Sequence, residues 1–238
     1  LRVKRALRLA AGERRKAIVA AVRGVFAEKG FYGTTTRALA KTAGVSEALL
    51  YKHFPSKESL YAAMLEACAN GPTFAEFNRI LELQPSTSTL VIMVHFTMAY
   101  YVEAPALDPD KAAMNSLMAR SLLEDGEFVR LTHKRFAKAW MAKFAACVKA
   151  AAQAGDLRET PVRPDLSMWF VHHIGFALML HLHPKTPAIQ YRAGPAALIE
   201  QATWFALFGV GVKEEAIKRY YNPRALSLLA GLSRPGGK

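Results

Sequence analysis

Apolar residues recur at helical spacing along most of this chain, and proline, glycine and capping residues cut the pattern into helix-length pieces. In residues 13–30, Ile18, Val22, Val25 and Phe26 share one face and Gly30 closes the segment. The run Thr34-Thr35-Thr36 supplies helix-start residues for a short piece ending at Ala43. Ser46 caps the next piece, to His53, and Ser56 caps one from Lys57 to Asn70, where Gly71-Pro72 stops it. Beyond residue 72 the pieces lengthen. Residues 87–104 are apolar nearly all round (Leu90, Val91, Ile92, Met93, Val94, Phe96, Met98), the mark of a helix inside a bundle. Asp108-Pro109 opens a helix to Leu123, and Asp125 caps a long one to Ala154, ended by Gly155. A polar loop over 156–164 follows. Asp165 caps a helix to His183, Pro195 opens one to Val210, and shorter helices lie near 213–220 and 223–230. Sustained alternation is absent, and Asp125-Gly126 is followed by Glu127 rather than a strand, so the pattern predicts an all-α protein.

The short pieces over 36–54 have helix-turn-helix spacing. Two helices crossing steeply need a small residue at the contact, supplied by Ala40, and four residues on a position tolerant of positive φ, supplied by Gly44. Leu39, Val45, Leu50 and Phe54 are placed to close a core beneath both helices, leaving Glu47, Ala48, Tyr51 and Lys52 exposed. A helix so presented can lie in a major groove. The predicted division is a basic tail over 1–12, a three-helix helix-turn-helix domain over 13–60, a larger helical bundle over 61–232, and a tail over 233–238.

Charge sharpens this division. The net charge is +13, and residues 1–60 hold 13 of the 32 Lys/Arg but only 4 of the 19 Asp/Glu. An excess concentrated at one end points to an anionic partner, nucleic acid being the commonest. The two cysteines, Cys68 and Cys147, stand far apart in apolar stretches, as buried free thiols of a reducing cytoplasm do. The first residues are basic and lead into Glu13-Arg14-Arg15 rather than an apolar run, so no signal peptide is read there. The longest apolar tract, Met168 to Leu182, is broken by three histidines and is shorter than the roughly 20 residues that span a bilayer. These features predict a cytoplasmic protein without a membrane partner.

Residues 17–60, with FAEKGFYGTTTRALAKTAGVSEALLYKHFPSKESL at 26–60, resemble the DNA-binding domain of the TetR (tetracycline-repressor-like) family of bacterial regulators. The likeness lies in the Phe-Ala-Glu-x-Gly-Phe end of the first helix, the threonine step, Ala-Gly-Val-Ser, Leu-Tyr-x-His-Phe and Ser-Lys-Glu-x-Leu. It implies phosphate contacts from Thr35, Thr36, Ser46, Tyr51, His53 and Lys57. Hydroxyls and free N–H groups at helix starts suit that role. Ser46 also serves as a plain cap, and His53 at a helix C-terminus has a purely local use. Arg37 and Lys52 are candidates for base edges or phosphate. Glu47 and Ala48 stand where many relatives carry Lys-Gly. A glutamate in the groove repels phosphates but accepts from a cytosine amino group, and alanine can touch a thymine methyl. The basic residues Arg2, Lys4, Arg5 and Arg8 either reach a minor groove or remain free in solution.

The resemblance further implies that the bundle holds a small-molecule effector and forms a homodimer through its last two long helices. The near-wholly apolar helix 87–104, with Trp140 and Phe144, suggests a hydrophobic pocket bearing His95, Tyr100, Asn115 and His173 as polar groups, although ordinary core packing accounts for any one of them. The candidates for the dimer face are Trp169, Phe176, Leu180, Trp204, Phe205 and Phe208, with Phe170, Ile174 and Ala177 on the opposite side of their helix. The adjacent pair His172-His173 points apart on a helix and no thiolate or carboxylate joins it, so neither a metal nor another cofactor is expected. No phosphate-binding glycine loop, His-Glu-x-x-His pair or Gly-x-Ser-x-Gly elbow is found, and the chain reads as a non-enzyme. The expectation is a dimeric, ligand-released transcriptional repressor on an inverted repeat. The alternative is a ligand-independent DNA-binding architectural or cell-division factor.

Overall fold

The computed structural model of the chain describes residues 10–69, 72–103, 109–124, 126–182, 184 and 186–229. The described residues are helical, and the only β-type pairing among them is an isolated antiparallel bridge between Leu157 and Val212. The chain forms two compact units. One takes in the described residues before Pro72 together with Ser116–Leu131, and the other takes in Pro72–Asn115 and the described residues from Thr132 onward.

The first unit holds α1 (Ala11–Lys29), α2 (Thr36–Thr42), α3 (Glu47–His53) and α4 (Lys57–Ala69). Of the predicted stripe of α1, Ile18, Val22 and Phe26 are buried together with Val19, while Val25 is only half-buried. Gly30 ends the helix at φ 72, where its N–H bonds the Phe26 carbonyl. A Cβ at Gly30 would also run into the Glu124 carboxylate, so glycine is required on two counts. Phe26, Phe31, Tyr61 and Phe128 pack as an aromatic cluster, with centroids 5.0 Å apart for Phe26–Tyr61 and 5.4 Å for Tyr61–Phe128.

The second unit is built on α5 (Pro72–Glu82), α6 (Thr87–Val102), α9 (Pro164–Leu182), α10 (Pro195–Val210), α11 (Glu214–Tyr220) and α12 (Pro223–Leu229), while α7 (Pro109–Leu123) and α8 (Glu127–Gln153) each have residues in both units. Ser86 caps α6 by accepting from the Thr89 N–H, and the helix is buried nearly all round, packed by α9 and α10. Gly175 permits the α6–α9 crossing: a Cβ there would sit 2.8 Å from the Tyr101 ring and 3.4 Å from the Thr97 carbonyl. Trp140 stacks on Phe77 at 4.4 Å and lies 5.9 Å from Phe96, tying α8 to α5 and α6. The turn after α8 is fixed by Asp156, which accepts from Thr87 Oγ1 at 2.6 Å and pairs with Arg219 at 3.4 Å.

Two boundaries differ from the sequence pattern. Helix α5 replaces a simple stop at Gly71-Pro72, because Pro72 occupies the first turn, where its missing N–H costs nothing. Helix α9 begins at Pro164, and Asp165 lies inside its first turn, paired with Arg163, instead of capping it. The expected caps Asp108 and Asp125, the stop at Gly71, His183, the basic residues of 1–9 and the tail 233–238 lie outside the described residues.

Candidate nucleic-acid interface

The exposed helix of the first unit is positioned from below and from both ends. Thr35 caps α2, its hydroxyl accepting from the Ala38 N–H at 3.2 Å. After α2 the Ala43 N–H returns to Leu39 O, Gly44 takes φ 64, and the Val45 N–H bonds Ala40 O at 3.0 Å, which closes the sharp turn. Ser46 then caps α3 by accepting from the Leu49 N–H at 3.1 Å. Beneath, Leu39, Ala40, Leu50 and Phe54 are at most 2% exposed, whereas Val45 is only half-buried. This fixes which way α3 faces. Glu47, Ala48, Tyr51 and Lys52 are exposed, as are Thr35 and Arg37, while Thr36 and His53 are half-buried.

Two cations hold the ends. The Arg15 guanidinium, from α1, donates to the His53 carbonyl and lies 4.1 Å from the centroid of the Phe54 ring. Lys57 Nζ donates to Phe31 O at 2.9 Å and to Thr34 O at 3.1 Å, and stands 4.2 Å from the Phe31 ring centroid. In the free protein Lys57 therefore ties the loop before α2 to the start of α4, a role that the sequence pattern does not reveal. Thr34 is buried and donates to Gly30 O at 2.7 Å, so of the three threonines it is structural.

Helices α1 to α3, joined by a turn of this geometry, have relatives. The family model for bacterial regulatory proteins of the tetR family matches residues 18–64. Solved structures of such regulators share the fold over most of the chain: one from Rhodococcus RHA1 has a TM-score of 0.62 at 21% identity, covering 85% of this chain and 99% of its own. Residues 18–64 are a tetR-family domain. A second solved structure with this fold is the ketosteroid transcriptional regulator KstR2 of Mycobacterium tuberculosis, with a TM-score of 0.59 at 20% identity over 84% of this chain and 96% of that one. Among curated relatives, the nucleoid occlusion factor SlmA of Aliivibrio fischeri is 38% identical over 74 residues, and the HTH-type transcriptional regulator RutR of Escherichia coli is 45% identical over 56. These matches span 31% and 24% of this chain, and 37% and 26% of the relatives' own lengths.

In the second unit the bundle residues singled out from the sequence fall into separate neighbourhoods. Tyr100 and Trp140 both lie against Phe96, and Phe144 is buried in the same core. His95 is 3% exposed, with Nδ1 3.3 Å from the Tyr221 hydroxyl and Nε2 without a partner; desolvation pushes its pKa down to about 4. Asn115 is fully buried, and neither of its side-chain amide atoms has a hydrogen-bond partner. His173 does not fit the pocket expectation: its side chain is exposed, stacked on Trp169. The inward polar group of that turn is His172, whose Nε2 is 2.7 Å from Tyr101 Oη and whose pKa is pushed down to about 4, mainly by burial and secondarily by His133 and His173. The sequence pattern weighs His172 only as a metal ligand, and His133, whose ring lies 5.8 Å from it, is not singled out there. The i, i+4 pairing of His172 with Phe176 on the face opposite Phe170 was the available signal.

The helical pattern also places Phe176 toward a partner, and there the structure corrects it. Phe176 is 8% exposed, its ring 5.7 Å from Tyr101, because the α6 crossing at Gly175 turns this side of α9 inward. The outward stripe instead carries Leu166, Phe170, His173, Ala177 and Leu180, with Phe170 52% and Leu180 44% exposed. On α10, Phe205 is 71% exposed, while Trp204 and Phe208 are half-buried. Trp169 is likewise half-buried, its ring 5.1 Å from His133. Cys147 is a buried free thiol whose pKa burial pushes up. Among the described residues no group of three or more His, Cys, Asp or Glu is placed to hold a metal ion, and no helix is long and apolar enough to cross a membrane.

Proposed function

We propose that the chain is a cytoplasmic transcriptional regulator that binds an inverted-repeat operator as a homodimer and is released by a small, largely apolar effector. The observation that carries the reading is the outward face of α3, where Glu47, Ala48, Tyr51 and Lys52 are exposed above a buried Leu50 and Phe54. Thr35, Thr36, Ser46, Tyr51 and His53 contact phosphates in this scheme, and Lys57 joins them by turning from its carbonyls to the backbone. Glu47, Ala48, Arg37 and Lys52 meet base edges. The domain scheme follows from it: residues 13–60 read DNA, and 61–232 dimerise and bind the effector.

The two-fold face is formed by the apolar stripe of α9 and by Phe205 of α10, continuing a motif in which two helices from each subunit pack together. The effector site draws on the buried polar groups His95 and Asn115 and the aromatic wall of Tyr100, Trp140 and Phe144. Occupation favours a conformation of the bundle that holds the two readers at a spacing unsuited to the operator, a population shift that lowers DNA affinity and represses less.

Selection of the purified protein against random duplex DNA tests the reading. An inverted repeat with half-sites one helical turn or more apart supports it, and a winning pool without symmetry removes the dimeric operator. One observation favours a second reading. The matched relatives include nucleoid occlusion factors, so a DNA-binding factor that needs no effector is the alternative. A compound that raises thermal stability and weakens operator binding together decides for the regulator.

A further inference from the structure

Helix α3 spans only Glu47–His53, so it owes its stability and orientation to what it packs against rather than to its own hydrogen bonds. Leu50 and Phe54 pin its inner face, and Ser46 satisfies its first turn. Its last turn ends at His53, followed by Phe54-Pro55, and proline contributes no N–H to the carbonyls there. The group that reaches this end is Arg15, one turn into α1. Its guanidinium donates to His53 O and lies with its carbon 4.1 Å from the Phe54 centroid, while Ile18, Val19 and Val22 of the same helix are sunk in the core. A cation at a helix C-terminus is favoured by the helix dipole, and a planar guanidinium offers a fixed fork of donors and a flat face to a ring, where an ammonium is a compact point charge on a shorter, flexible stem.

We propose that Arg15 is a positioning residue for DNA recognition: it fixes the exit turn of α3, and with it the angle at which Glu47 to Lys52 meet the bases. Its charge is not spent on a phosphate. This rests on the DNA-reading function proposed above. Arg15 is itself exposed, so replacing it leaves the core intact.

The test uses the full chain and the variants Arg15→Lys, which keeps the charge, and Arg15→Gln, which removes it. In the DNA-free protein, hydrogen exchange at the Leu50 and Phe54 amides, which close α3 onto Ser46 O and Leu50 O, reads the clamp directly. Affinities for a selected duplex and a scrambled duplex, each across salt, read its consequence. Arg15→Lys is expected to exchange these amides about tenfold faster and to lose about tenfold in discrimination between the duplexes, with the scrambled-duplex affinity and its salt slope unchanged. Unchanged discrimination in Arg15→Lys overturns the proposal. So does an equal loss on both duplexes in Arg15→Gln with a salt slope smaller by about one, the signature of a phosphate contact. If the unaltered protein discriminates between no duplexes, the DNA-reading function falls and this role with it. The exchange rates still show separately whether Arg15 holds α3.

Discussion

Acidification should destabilise the bundle while its carboxylates are still charged, because two imidazoles are buried in their neutral form. His95 and His172 both have pKa values pushed from 6.5 to about 4, in each case mainly by desolvation. In the unfolded chain they titrate near 6.5, so between about pH 6.5 and 4 the unfolded state binds protons that the folded state refuses. Stability is therefore full above pH 6.5 and is lost as the pH falls toward 4. At about 1.4 kcal/mol per pKa unit, each histidine withdraws about 3 kcal/mol by pH 4, and the pair withdraws about 3 kcal/mol between pH 7.5 and 5.5. That is a large share of a total stability of about 5–15 kcal/mol. Trp140, Trp169 and Trp204 all lie in the second unit, so fluorescence during urea unfolding reports on the bundle alone. The urea midpoint should fall between pH 7.5 and 5.5, and His95→Gln should remove about half of the fall. A midpoint that does not move over this range, or a His95→Gln variant with the full pH dependence, refutes the reasoning.

Three further outcomes follow from the described contacts. Phe205→Glu, at a side chain 71% exposed in the single chain, should leave the fold intact and halve the mass seen in sedimentation; a dimer that persists moves the two-fold face elsewhere. Glu47→Ala, on the exposed first turn of α3, should change which duplexes win a selection while altering stability by less than about 1 kcal/mol; an unchanged preference takes Glu47 out of the readout. Gly175→Val should cost about 1–3 kcal/mol in urea unfolding through the clash with Tyr101, and a neutral effect would mean that the α6–α9 crossing has room to give.

Local signals gave the helices their positions, and long-range packing decided what those signals leave open. Ser46, Gly44 and Ala40 announce the helix-turn-helix because each answers a demand made within a few residues: a cap, a positive φ and a close crossing. Pro72 carries the same local ambiguity in reverse. It reads as a stop, yet it is equally suited to the first turn of α5, and only the apolar Phe77, Ile80 and Leu81 beyond it distinguish the two. On α9 both faces are aromatic, so periodicity cannot say whether Phe170 or Phe176 turns inward; the answer comes from Gly175 meeting α6, some seventy residues away in sequence. Lys57 and Arg15 likewise look like free cations of a basic domain. Their partners, the carbonyls of Phe31, Thr34 and His53, are backbone atoms 26, 23 and 38 residues distant, which no side-chain pattern encodes.

The central claim is that the outward face of α3 reads a DNA sequence. The most direct measurement is the affinity of the full chain for a selected duplex and for the same duplex with both half-sites scrambled, at several salt concentrations. The account predicts that the selected duplex binds at least about a thousandfold more tightly at near-physiological salt, with one dimer per site and a steep salt dependence for both. Equal affinity for the two duplexes, however tight and however salt-sensitive, would contradict it.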